Sequence, residues 1–228
     1  MTPGSDDLSH VHEPVMVQEV LDYLGLSRPT HGECLIVDGT VGAGGHAKAL
    51  LAAHAGVRLL GLDRDPAILE HARKRLEDYA ERVTLVQASY MDLPTLLEER
   101  ALPAPAGVLL DLGLSSLQLD DMSRGFSFRA EDEIPDMRFD ATDDDAITAQ
   151  YLLNHAPERE LAQILHEYGE EPRARAVARA IVRARPIQSV RALREVAQRH
   201  ALRGRRHHPA TRTFQALRIA VNEELLHL

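Results

Sequence analysis

The sequence holds a single cysteine, Cys34, and no tryptophan. One cysteine excludes an internal disulfide and suits a reducing compartment, so a cytoplasmic protein is expected. No apolar run reaches the ~18–20 residues that a membrane span needs, because His, Arg or Asp interrupts each one. The opening MTPGSDDLSH has neither the basic region nor the apolar core of a secretory signal. Lysine is nearly missing: Lys48 and Lys74 stand against 24 arginines. A GC-biased genome accounts for that ratio, but not for where the arginines lie. What is present is ordinary for a globular chain: 228 residues, 44% apolar and 27% charged. That composition argues against disorder and low-complexity assembly, and the length allows one or two domains.

Charge is distributed very unevenly. Between Arg173 and Arg218 there are thirteen arginines and one acid, Glu195, a local charge of +12 in a chain of net charge −9. A basic segment on an acidic body is the electrostatic footprint of a phosphate-backbone partner, and arginine's planar fork suits phosphate better than lysine does. Arg175, Arg179 and Arg183 fall on one helical face, opposite Val177, Ile181 and Ala174. With Arg203, Arg205, Arg206 and Arg212 they are the candidate nucleic-acid contacts. The alternative is a solvated helix face.

The first third alternates short apolar runs with helical patterns. Strands are expected at Cys34 to Val37, Val57 to Leu62, Val83 to Val86 and Gly107 to Leu110. Asp65-Pro66 reads as an N-cap followed by proline at the first helical position. This alternation predicts an α/β fold: an open, doubly wound, Rossmann-like parallel sheet. Met122 to Asp145 has eight acids and no clear period, and reads as irregular, with Asp143-Asp144-Asp145 as a solvated helix start. From Ile147 onward the pattern is helical, with Tyr151, Leu152, Leu161, Ile164 and Leu165 as core. The expected organisation is a cofactor-binding domain over 1–120, an inserted helical domain over 121–208, and a return toward the first domain over 209–228.

Between the first strand and its helix lies Asp38-Gly39-Thr40-Val41-Gly42-Ala43-Gly44-Gly45-His46. Glycines let a backbone turn tightly and approach a ligand, and in a doubly wound sheet the ligand crevice lies at the carboxyl ends of the strands. The spacing matches neither the dinucleotide fingerprint nor a P-loop. Asp38, Asp63 and Asp111 each close a strand at the same sheet edge. Asp63 follows the glycines by about 20 residues, where an acid accepts hydrogen bonds from a ribose diol, and Tyr90 is placed to cover an adenine. A nucleoside cofactor with a cationic centre and no phosphate, S-adenosylmethionine, fits this set better than NAD or ATP. As an exposed strand-end carboxylate, Asp63 is expected to contribute little to the fold. No metal-ligand spacing occurs among the twelve histidines.

The segments HEPVMVQEVLDYL, DGTVGAGGH, LLGLDRDP, LLDLGLSSLQLDD, RGFSF, DMRFD, YGEEPRARAVARAIV and HPATRTFQALRIAVNEEL occur in that order. Together they resemble the bacterial 16S ribosomal RNA cytosine N(4)-methyltransferase family, the RsmH (formerly MraW) type, from about His12 to Glu224. The resemblance implies a Rossmann-like methyltransferase acting on 16S ribosomal RNA of the small subunit. It carries the S-adenosylmethionine contacts to Gly44, Gly45, His46, Asp63, Tyr90, Asp111 and Gln118. Leu117 stands where relatives usually carry proline.

Methylating cytosine's exocyclic amine requires the lone pair to be aimed at the methyl carbon, and an acceptor that fixes the amine protons and receives one. Asp111, Ser115 and Ser116 occupy the place where amino-methyltransferases keep their amine-orienting motif, although its prolines and aromatic are missing here. The two serines serve equally well as helix caps. In DMRFD, Arg138 is either a structural partner of its acids or an RNA contact. Two readings compete with ribosomal RNA methylation: transfer to another amine acceptor, and a non-catalytic RNA-binding module that keeps the cofactor pocket. The resemblance further implies a C-terminal truncation. The chain is therefore expected to show an uncovered apolar edge at its fourth strand, poor stability and weak activity.

Overall fold

Cys34 to Asp38 is a run of apolar residues closed by an acid, and it forms the central strand of a parallel sheet. The computed structural model describes residues 14–27, 32–200 and 208–225. Its strands are β1 (Cys34–Asp38), β2 (Val57–Asp63), β3 (Val83–Gln87) and β4 (Gly107–Leu109), in the order β3-β2-β1-β4. All three pairings are parallel, so the expected doubly wound α/β sheet is present. Two sequence boundaries shift: β3 runs on to Gln87, and β4 ends at Leu109, two residues short of Asp111. Beyond Leu109 the backbone turns away to donate the Asp111 N–H to Thr40 Oγ1 at 2.7 Å, which ends the pairing.

Side chains of a strand alternate between faces, and both faces of this sheet are covered. Ile36 and Leu59 pack with Leu50, Leu51 and Leu69 on one side, under α1 (Val17–Tyr23), α2 (Gly45–Ala53) and α3 (Pro66–Arg75). Leu35, Val37, Leu60 and Leu62 pack on the other against Leu93, Leu96 and Leu97 of α4 (Leu93–Glu99). Asp65 caps α3 as its sequence suggests, its carboxylate accepting from the Ala67 and Ile68 N–H groups. Strand β4 stands at the sheet's edge, with Val108 and Leu110 partly exposed.

The described residues form two compact units, the first running to Leu117 and the second starting at Gln118. After α5 (Ser116–Asp120) the second unit has a short 3-10 turn and then irregular chain as far as Thr148. Gly125 is required there: its φ is +69°, and a β-carbon would come within 2.5 Å of the Ile134 carbonyl oxygen. The helices are α6 (Ala149–His155), α7 (Glu158–Glu167), α8 (Ala174–Arg183), α9 (Val190–His200) and α10 (Thr211–Asn222). Leu153, Leu161, Leu165, Ile181 and Leu193 are fully buried among them. The 209–228 segment, expected to lead back toward the sheet, contributes α10, which packs on α7 and α6.

Two local expectations are corrected. Asp143 to Asp145 is a turn rather than a helix start: the Asp143 carboxylate accepts from the Asp145 and Ala146 N–H groups, and α6 is instead capped by Thr148. Tyr151 is exposed rather than core. The buried face of α6 is Ala149, Leu152 and Leu153, leaving Tyr151 outside to stack on His155 one turn later.

Candidate functional site

Strand β1 has β2 on one side and β4 on the other, so the order of connection reverses between β1 and β4. Such a switch point opens a crevice beyond the strand ends, where ligands of doubly wound sheets bind. The residues at that edge are Asp38 and the glycine turn after β1, Asp63 at the end of β2, and Asp111 just past β4.

Backbone bonds pin the turn to both neighbouring strands. Gly39 N–H donates to the Leu109 carbonyl at 2.9 Å, and Val41 N–H to the Leu62 carbonyl at 2.9 Å. A β-carbon on Gly39 would lie 2.6 Å from Leu110 Cδ2 and 2.9 Å from Tyr90 Cβ. That glycine is what lets Tyr90 and the end of β4 close on the turn. Gly44 has φ +79° and precedes the first turn of α2. The first N–H groups of a helix have no partner within it, and with the dipole they favour an anionic group.

Asp63 is more deeply built in than its sequence position suggests. Its Oδ2 accepts the Gly42 N–H and its Oδ1 the Asp65 N–H, each at 3.0 Å. Burial pushes its carboxyl above the ordinary value, and these backbone bonds pull the other way. The expectation of a dispensable, exposed carboxylate is therefore corrected: Asp63 ties the glycine turn to β2. The Arg64 backbone also bonds this carboxylate, and of the about four lone-pair sites of an ionised carboxylate one remains for a ribose hydroxyl.

Asp38, the least exposed of the three acids, is 1% exposed. Its carboxylate accepts the Thr40 N–H at 3.2 Å. Burial raises its pKa to about 7, with Asp63 and Asp111 adding like charge nearby. Asp111 remains open to solvent, its side chain 51% exposed.

His46 Nε2 lies 2.8 Å from the Val15 carbonyl oxygen. A carbonyl only accepts, so that nitrogen donates, and Nδ1 faces Asp111 Oδ2 at 3.7 Å. The ring, 8% exposed, is thus bonded to the segment before α1 and stands beside the carboxylate past β4. Gly44, Gly45, His46, Asp63, Tyr90 and Asp111 all belong to the first unit, as does half-buried Ser115. Ser116 opens α5, and Gln118, buried on the same helix, is counted in the second unit. Sequence reasoning missed Thr40, whose hydroxyl fixes the Asp111 backbone. A threonine two residues after a strand-end aspartate is the available signal, since both side chains bond local backbone in such turns.

Of the expected RNA contacts, Arg175, Arg179 and Arg183 are exposed on α8, whose other face buries Ala174, Val177 and Ile181. Arg212 is engaged with the Glu170 carbonyl. Arg203, Arg205 and Arg206 lie outside the described residues. Arg138 proves to be a structural partner, chelating Asp136 through Nε and Nη2 at 2.8 Å each.

A switch point flanked by a glycine turn and strand-end carboxylates is the layout of a Rossmann-like domain, the fold of the methyltransferase class. Residues 9–228 match the MraW methylase family, and the chain belongs to that family. Ribosomal RNA small subunit methyltransferase H from Thermotoga neapolitana is 47% identical over 225 residues, covering 96% of this chain and 73% of that protein. Its counterpart from Thermobifida fusca is 45% identical over 220 residues, covering 94% and 66%. Across such relatives the chain spans 60–73% of their length. Among solved structures, the C-terminal domain of precorrin-6Y C5,15-methyltransferase from Rhodobacter capsulatus is 24% identical. That likeness covers 53% of this chain and 63% of that one, at a TM-score of 0.35.

Proposed function

We propose that the chain methylates the N(4) amine of a cytidine in 16S ribosomal RNA of the small subunit, in the cytoplasm, with S-adenosylmethionine as donor. The observation that carries this reading is the grouping of Asp63, Asp111 and a glycine turn at one switch point, in a member of the MraW methylase family. The donor supplies an electrophilic methyl on a sulfonium centre. Its parts fit the residues present: the remaining lone pair of Asp63 for a ribose hydroxyl, Tyr90 for an adenine face, and exposed Asp111 for the cationic end. Gly44, Gly45 and His46, at the start of α2, would receive the carboxylate. Gln118 is assigned by the family resemblance.

Chemistry at the amine is mostly orientation. Its lone pair is delocalised into the ring and must be held in line with the departing sulfur. Ser115 and Ser116 would supply hydroxyl acceptors for the amine protons, and the exposed Asp111 carboxylate would take one as the C–N bond forms. The His46 ring, held by the Val15 carbonyl, stands beside that carboxylate. Arginines of the helical unit (Arg175, Arg179, Arg183 and Arg212, with Arg203, Arg205 and Arg206 in the sequence) would contact RNA phosphates.

The test is incubation of the chain with methyl-labelled S-adenosylmethionine and small subunits from cells lacking the family enzyme. Label recovered as N(4)-methylated cytidine is the expected result. Donor binding without label in RNA would instead support a non-catalytic module. Label on another acceptor would redirect the substrate assignment.

A further inference from the structure

The arginines of the basic segment divide sharply once their partners are known. Arg191 and Arg194 both bond Glu131, at 3.0 and 2.6 Å. Arg185 bonds the Leu153 and Ala156 carbonyls, and Arg218 is held by Glu224 at 2.7 Å with both side chains largely buried. These groups are committed to the fold. A second set is not. Arg179 and Arg183 of α8 and Arg199 and His200 of α9 line one groove of about 360 Å³, over a floor that includes Ala176 and Ala180.

Within this groove, Arg183 makes no hydrogen bond or ion pair among the described residues. Arg179 and Arg199 each meet one exposed carboxylate, Glu158 at 3.3 Å and Glu195 at 3.4 Å. Exposed pairs of this kind contribute little and exchange readily with a stronger partner. A phosphodiester is such a partner, because its oxygens accept two parallel bonds from one guanidinium. Residues 179 and 183, four apart, stand on one face of α8. The methyl groups of the floor leave a trough between the two arginine-bearing helices.

We infer that the α8–α9 groove is an RNA-backbone site, with Arg179, Arg183, Arg199 and His200 contacting the phosphates and ribose of one strand. This rests on the reading of the chain as an RNA-directed enzyme, and it names the surface that would hold the strand. The probe is a dye-labelled single-stranded RNA of about 12 nucleotides, bound to the full chain and followed by fluorescence anisotropy across a salt series. Arg183→Glu with Arg199→Glu should weaken binding by about tenfold or more and reduce the log–log salt slope by about 1.4, two contacts' worth for a single strand. Arg159→Glu, an equal reversal per residue at an exposed position on α7 outside the groove, should stay within about twofold.

Equal loss from Arg159→Glu would reduce the effect to overall charge and overturn the site, as would an unchanged slope in the double variant. Donor affinity, measured by calorimetry, reports on folding. If it falls, Arg183→Gln with Arg199→Gln gives the same reading without charge reversal. Binding is read here without turnover. RNA affinity lost in the groove variants of a chain that transfers no methyl group sustains the groove and sinks the enzymatic reading. Methyl transfer with unchanged RNA affinity in those variants does the opposite.

Discussion

The two units handle charge in opposite ways. In the sheet unit the acids Asp38 and Asp63 are drawn inward and satisfied by backbone N–H groups of the turn they support. In the helical unit the arginines stay mostly at the surface, and their partners are side chains or carbonyls at the ends of other segments. A buried carboxylate bonded to backbone is fixed in place and sensitive to protonation. A surface guanidinium with an exposed partner is mobile and exchangeable. The first arrangement suits a preformed site for a small ligand, the second a surface that adapts to a long polyanion.

The largest effect that would test this contrast is expected at Asp63. Asp63→Ala removes the carboxylate that holds the Gly42, Asp65 and Arg64 backbone groups, leaving the part-buried Gly42 and Asp65 N–H groups among those unpaired. The cost should be about 2–4 kcal/mol of stability, read by urea denaturation. Donor affinity should fall with it, because the turn loses its tie to β2. Asp63→Asn keeps one acceptor oxygen but sets its amide nitrogen against the other N–H, so it should recover only part of the stability and less of the affinity. A stability loss below about 0.5 kcal/mol, the range of a neutral surface change, would place Asp63 with the dispensable surface charges.

Asp38 gives the next effect, and its sign is the reverse. Burial raises its pKa to about 7 from the ordinary 3.8. Between those values the folded state holds a proton that the unfolded state has released, so this group's contribution to stability falls as pH rises and levels off above about 7. Asp38→Asn keeps the acceptor for Thr40 and never ionises. The variant should therefore gain on the native chain by about 1–4 kcal/mol at pH 8 and lose that advantage near pH 4. Thermal unfolding across that range checks it. Asp63, also shifted upward, leaves some slope in the variant. Parallel curves for the two proteins would show that Asp38 is not strained by its burial.

Much of the sheet unit was legible because its signals are local. Apolar runs closed by Asp38 and Asp63 mark strands, Asp65-Pro66 marks a helix start, and glycines mark a turn. The roles of those acids were less legible, since burial depends on what folds over them. Asp63 reads as exposed in sequence and turns out to clamp a loop 21 residues away. Tyr151 shows the same limit in the helical unit: its spacing fits a core face, but α6 turns Leu152 and Leu153 inward instead. The arginine cluster was visible as a count. Its division into structural and exchangeable groups was not, because Glu131 lies 60 residues before its partner Arg191 and no short-range pattern pairs them.

The smallest effect is expected at Arg179, and it tests the other half of the contrast. Its Glu158 partner lies 3.3 Å away, with the two side chains 56% and 43% exposed. Water screens such a pair, and ordering two long side chains offsets most of the attraction, so Arg179→Ala should change stability by no more than about 0.5 kcal/mol. The guanidinium nevertheless lines the α8–α9 groove, so the same substitution should weaken single-stranded RNA binding about threefold or more as one phosphate contact is lost. Urea midpoint and RNA anisotropy, measured on one preparation, separate the two quantities. A midpoint shift corresponding to more than about 1.5 kcal/mol, above the range of exposed pairs, with RNA affinity unchanged would place Arg179 among the structural arginines and erase the distinction between its kind and Arg218.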